Sequence, residues 1–124
     1  MPVRVELVEP AFEDLDRSAK SGNIKLFLAK LLFIEEHGEA AGRPLGKGLT
    51  GWRKTVVGDR DWRIVYRMNV TSTVATVWVI GDRADSECYA EAERRIRALV
   101  GNPAAFSLAA ALVRLTERQR SRRP

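Results

Sequence analysis

Two short runs of apolar and basic residues, separated by four turn-forming residues, constrain this chain more than any other feature. Trp52-Arg53-Lys54-Thr55-Val56-Val57 and Trp62-Arg63-Ile64-Val65-Tyr66-Arg67-Met68 are rich in β-branched and aromatic residues, and Gly58-Asp59-Arg60-Asp61 lies between them. That pattern predicts a β-hairpin, because such residues fit a pleated surface and Gly/Asp clusters supply the turn. With that turn, Val57 pairs with Trp62 and Val56 with Arg63. Side-chain alternation then puts Lys54 and Arg63 on one face and Arg53 on the other. Thr73 to Ile80 is again dense in β-branched residues and predicts a central strand, after which Gly81 permits a sharp exit.

The flanking segments predict helices on this sheet. Val3 to Val8 alternates apolar and polar residues as far as Leu7 and stops at Glu9-Pro10, the mark of a strand ended by proline. From Pro10 the spacing of Phe12, Leu15 and Ala19 predicts a short helix, broken by Ser21-Gly22-Asn23. Ile24 to Ile34 carries an apolar face wide enough to predict packing on more than one side, and His37-Gly38 reads as the helix end. Residues 43–51 hold three glycines, a proline and two basic residues, which is loop chemistry with backbone amides open to a ligand. Ser86 reads as the cap of a helix through Leu99, with Tyr89, Ala92, Ile96 and Leu99 at helical spacing. Beyond Gly101-Asn102-Pro103, Ala104 to Thr116 predicts an appended helix, and Arg118 to Pro124 a frayed tail. The expected organisation is one domain over 1–100 and a helical extension with a basic tail over 101–124.

Composition narrows the function class. At 124 residues, 45% hydrophobic and 30% charged, the chain has the make-up of one globular core and not of a disordered protein. No run approaches the ~18 apolar residues of a membrane helix, and the N-terminus lacks a signal-peptide pattern, so no membrane partner and a cytoplasmic location are expected. A single cysteine, Cys88, excludes an internal disulfide and a multi-cysteine metal site, and reads as a small core residue. The net charge of +5 suits a polyanionic or acidic partner. Most of it lies in the tail, where Arg114, Arg118, Arg120, Arg122 and Arg123 meet only Glu117, five minus one.

The residue types that remain point to phosphate. Lys54 and Arg63 share a hairpin face, and Arg83, leaving the next strand, is placed to join them. Guanidinium offers a rigid donor fork that matches phosphate oxygens and stays charged at physiological pH. Tyr89, about one turn into the following helix, suits stacking on a base or accepting the proton of a ribose 2′-hydroxyl. Lys47 and Arg53 are further phosphate-binding candidates. No metal and no cofactor are called for. Each of these residues also has a plain reading: strand arginines are commonly solvated or paired with carboxylates, a lone tyrosine is commonly core or rim, and Trp52, Trp62 and Trp78 read as sheet packing.

Three segments carry a resemblance to a known family: Pro44-Leu45-Gly46-Lys47-Gly48-Leu49, Trp62-Arg63-Ile64-Val65-Tyr66-Arg67, and Gly81-Asp82-Arg83-Ala84-Asp85-Ser86-Glu87-Cys88-Tyr89. In their order along residues 3 to 99 the chain resembles the RelE/ParE superfamily of bacterial toxins. The resemblance implies a compact α/β (α+β) fold, an antiparallel-dominated sheet packed on an N-terminal helical hairpin. It implies a cognate antitoxin as partner, with assembly into homo- or hetero-oligomers. RelE-like members cut mRNA in the ribosomal A site without metal, through attack of a ribose 2′-oxygen on the adjacent phosphate. On that pattern Arg63 matches the arginine at the scissile phosphate, Arg83 the charge-stabilising arginine, Tyr89 the stacking tyrosine and Lys54 the first basic residue of the preceding strand. Val56 stands where RelE has a second basic residue, with Arg67 or Lys47 as the nearest substitute, and 101–124 lies beyond the family's usual end. The implied alternatives are a ParE-like gyrase inhibitor and a non-toxic binding member.

Overall fold

The computed structural model describes residues 2–20, 22–45, 51–58, 62–82, 85–99 and 104–122. The Gly58–Asp61 turn, Lys47, Arg83, the Ser86 cap and the 101–103 break fall wholly or partly outside them. The elements run β1 (Arg4–Val8), α1 (Glu9–Lys20), α2 (Ile24–His37), a 3-10 turn (Gly38–Ala41), β2 (Arg43–Pro44), β3 (Trp52–Val57), β4 (Trp62–Met68), β5 (Val74–Gly81), α3 (Asp85–Leu99), β6 (Ala105–Ser107) and α4 (Leu108–Arg122).

Six strands form one sheet in the order β2-β3-β4-β5-β1-β6. Every neighbouring pair is antiparallel except β1 with β5, so the chain is mixed α/β with an antiparallel-dominated sheet. The hairpin has the register expected from sequence, Val57 opposite Trp62 and Val56 opposite Arg63. A bulge between Val65 and Tyr66 then shifts the pairing of β4 with β5. Bulges add twist and re-aim side chains.

The core lies between α1, α2 and one sheet face. Val5, Leu7, Ile64, Tyr66 and Val77 from the strands meet Phe12, Leu15, Phe27, Leu31 and Ile34 from the helices, all fully buried. Each such side chain contributes roughly 1.5–3 kcal/mol of apolar transfer. Phe27 stands edge-on to Trp62 at 5.2 Å between ring centres, and Trp52 and Trp78 lie 5.8 Å apart, so all three tryptophans pack on the sheet. Cys88 is buried. The α2 helix differs from expectation. Phe27, Leu31 and Ile34 face the core, but Leu26 and Leu32 are 52% and 55% exposed, so the helix is packed on one side only. It does end as read, with Gly38 at φ 58° donating its N–H to Ile34 O.

Gly42 is fixed by close approach. A Cβ there would lie 2.6 Å from Lys54 O and 2.6 Å from the Tyr66 hydroxyl. Only glycine lets the chain pass between them. Tyr66, wholly buried, donates to Gly38 O at 3.1 Å, which ties the end of α2 to the middle of the sheet.

The C-terminal residues correct two expectations. Ala105–Ser107 is a strand, not the start of a helix, and pairs antiparallel with β1 through Leu7 opposite Phe106. Ser107 Oγ then accepts the Ala110 N–H at 3.1 Å, the cap that starts α4. The helix continues through Arg122 instead of fraying after Thr116. Its Leu108, Ala111 and Leu115 are buried, and its arginines bind carboxylates of α1: Arg114 to Glu9, Arg118 to Glu13 and Asp16, Arg122 to Asp16. No helix among the described residues is long and apolar enough to cross a membrane.

Candidate functional site

The face of the hairpin turned away from α1 and α2 gathers positive charge. Alternation puts Trp52, Lys54 and Val56 of β3 beside Arg67, Val65 and Arg63 of β4. Lys54 stands between Val65 on β4 and Arg43 on β2. Two cations thus stand directly opposite each other across β2 and β3. Arg63 stands between Val56 and Gly81, the last residue of β5. The Arg67 guanidinium lies 5.5 Å from the Trp52 ring centre on the same face. Lys54 and Arg63 are both half-buried.

The candidate residues therefore divide. Lys54 and Arg63 share a face, as alternation requires, and Arg63 sits beside the strand end that leads towards Arg83. Tyr89 is half-buried on α3, next to Cys88, whose Sγ lies 3.5 Å from where a Gly81 Cβ would stand. Arg63 and Tyr89 thus belong to the two elements that flank Gly81. Arg53 is not among them: it projects to the opposite face, where its Nη2 donates to Gly42 O at 2.8 Å. Burial pushes the neighbouring Tyr66 phenol above its usual pKa, with the Arg53 guanidinium opposing that shift. Arg53 is held in a structural contact with the chain entering β2. Val56 lies on the cationic face opposite Arg63, so the expected gap in basic residues is at that place.

A polar cluster that the sequence reading missed lies at the Gly81 end of β5, between α1 and α3. Asp14 of α1, only 3% exposed, accepts the Ile80 N–H at 2.9 Å and two bonds from Arg95 of α3 at 2.7 and 3.2 Å. Arg95 also donates to Trp78 O at 2.9 Å and to Glu91 at 2.7 Å, while Arg17 binds Asp14 from the solvent side. Burial alone would lower the Arg95 pKa, yet the bonds to Asp14 and Glu91 hold it above the ordinary value, so it stays a guanidinium. A cleft of about 390 Å³ opens here, lined among others by Asp14, Trp62, Gly81, Asp82 and Arg95. The Glu91/Arg95 spacing of four was the one legible sign. Nothing in the sequence singled out Asp14.

The fold that carries this face is a known one. An arginine double mutant of the E. coli toxin RelE, in the free state, superposes with a TM-score of 0.62 at 25% identity, over 77% of this chain and 99% of that one. The chain has the RelE-like toxin fold. The isolated E. coli RelE toxin, in a P21 crystal form, matches at TM-score 0.55 and 24% identity, over 76% of this chain and 98% of that one. The RelBE2 toxin–antitoxin complex of Mycobacterium tuberculosis matches at 0.56 and 19%, over 67% of this chain and 100% of the other. Neither a protein-family model nor a curated protein matches the sequence. The RelE-like fold is thus shown by structure, at identities where sequence comparison alone is silent. RelE is covered almost whole while about a quarter of this chain is not, so this RelE-like chain is the longer of the two.

Proposed function

We propose that this chain is the toxin of a type II toxin–antitoxin pair and cuts mRNA in the ribosomal A site without a metal ion. The observation that carries the reading is the cationic pair Lys54 and Arg63 on one hairpin face of a RelE-like fold, with Arg63 in register with Gly81. In the reaction a ribose 2′-oxygen attacks the adjacent phosphorus and the P–O5′ bond breaks, leaving a 2′,3′-cyclic phosphate and a 5′-hydroxyl. The 2′-hydroxyl loses a proton and the departing O5′ gains one. Arg63 and Arg83 stabilise the charge that grows on the phosphorane oxygens, which is where preorganised cations gain most. Tyr89 stacks on the substrate base, and Lys54 assists the proton transfers. Val56 removes a second basic group from that face, so proton handling rests on fewer residues than in RelE.

A cytoplasmic location, ribosome and mRNA as targets, and an antitoxin as inhibitor belong to the same reading. So does a toxin unit over 1–100 with 101–124 as an addition to it. The test is expression in growing cells without antitoxin. Growth arrest that is relieved in Arg83→Ala and in Tyr89→Phe, both folded, is the expected result. Arrest undiminished in both variants would overturn the site. Double-strand-break signalling with intact mRNA would select gyrase inhibition, and harmless expression a non-toxic binding role.

A further inference from the structure

We infer that Asp14 and Arg95 are positioning residues that set α3, and Tyr89 with it, against the Gly81 end of β5. The inference rests on the proposed endoribonuclease reading. It begins with a gap in the sheet. Strand β1 pairs with β5 only as far as Leu7 opposite Val77, because the chain turns into α1 at Glu9. Among the described residues, no strand therefore covers that side of β5 beyond Val77. Its backbone groups are met by side chains: Trp78 O accepts from Arg95 Nη1 at 2.9 Å, and Ile80 N–H donates to Asp14 Oδ2 at 2.9 Å.

These two side chains stand in for the missing strand and are bonded to each other. Arg95 spends its fork on Asp14, Trp78 O and Glu91 at once. Its side chain is 14% exposed and that of Asp14 2%. A buried ion pair is weak evidence of stabilisation, since desolvation offsets much of the attraction. What it does supply is direction. Glu91 lies two residues beyond Tyr89 on α3, and Trp78 and Ile80 lie just before Gly81, so one cluster fixes the helix bearing the tyrosine to the strand beside Arg63. Small displacements of a reacting group cost large factors in rate.

Arg95→Gln and Asp14→Asn test this. Asparagine keeps an acceptor for the Ile80 N–H, so Asp14→Asn guards against loss of the fold in the other variant. Single-turnover cleavage with ribosomes in excess is measured alongside backbone amide exchange, at a temperature where circular dichroism shows each variant folded. We expect the cleavage rate at saturating ribosomes to fall roughly ten- to a hundredfold, with the half-saturating ribosome concentration unchanged. Amides 87–90 should exchange faster while those of β3 and β4 stay protected. A folded variant with the full rate and unchanged protection overturns the inference, as does a change in half-saturation alone. If the unaltered chain leaves mRNA intact, the endoribonuclease reading falls, and exchange at 87–90 alone then upholds or overturns the positioning role.

Discussion

The molecule carries its arginines in two settings. On the C-terminal arm, β6 with α4, each of Arg114, Arg118 and Arg122 is matched to a carboxylate of α1 at 2.6 to 2.7 Å. Arg114 and Arg118 also lie over the Phe12 ring, and Arg114 over Phe106, so their planar faces are used as well as their edges. On the hairpin, by contrast, the cross-strand neighbours of Lys54 are Val65 and Arg43, and those of Arg63 are Val56 and Gly81. The sequence puts most of the net charge in the tail, yet the fold pairs three of those arginines with carboxylates of α1. Net charge is a count, and where a sequence places it does not say which groups it meets in the fold.

The largest effect that would sharpen this contrast is on cleavage. Arg63→Ala should lower single-turnover cleavage by about 100-fold or more, the range for removing one preorganised charge-stabilising donor, with the thermal transition unchanged. Loss of the fold instead would make Arg63 a structural residue. Next is the support beneath the hairpin. Gly42→Ala forces a methyl against Lys54 O, a backbone atom that cannot swing away, and should cost ~1–3 kcal/mol in urea unfolding. An unchanged midpoint would show that the strand can shift.

Salt divides the two regions more finely. Ribosome or RNA affinity should fall as salt rises, and Lys54→Ala should flatten the log–log slope by about one. Arg118→Ala on the arm should leave that slope alone. A flattened slope in the arm variant would mean that the arm meets nucleic acid after all.

The smallest effect concerns pH. The hydrogen bonds from Arg114 hold Glu9 below its ordinary 4.5, and those from Arg122 and Arg118 hold Asp16 below its ordinary 3.8. A carboxyl whose folded-state value is depressed stabilises fully above its unfolded value and loses that contribution as pH falls through the folded one. Arm docking should therefore be intact at neutral pH and weaken only in acid, below 4.5 and then below 3.8. Amide exchange of β6 against pH reads this, and weakening that starts near neutrality would assign the docking to other groups.

Much of the fold was legible because its signals are local. The hairpin register follows from one turn and a period of two, and the end of α2 from His37-Gly38. What was not legible depends on partners distant in sequence. Three residues, Ala105–Ser107, are too few to show a period, and they become a strand only because β1 offers an open edge. The exposure of Leu26 and Leu32 could not be read from α2 alone, since an apolar helix does not say how many neighbours it has. In the site, Lys54 and Arg63 were legible through alternation, which also set Arg53 on the other face. Asp14 was not, because a carboxylate among apolar helix residues reads as solvated until Ile80 and Arg95, 66 and 81 residues on, are brought to it.

Primer extension on a defined mRNA in a purified translation system, with the unaltered chain, Arg63→Ala and Arg118→Ala side by side, tests the account most directly. Cuts within the A-site codon that require ribosomes, vanish in Arg63→Ala and persist in Arg118→Ala are the predicted result. An uncut message, or cuts that survive in Arg63→Ala, would contradict it.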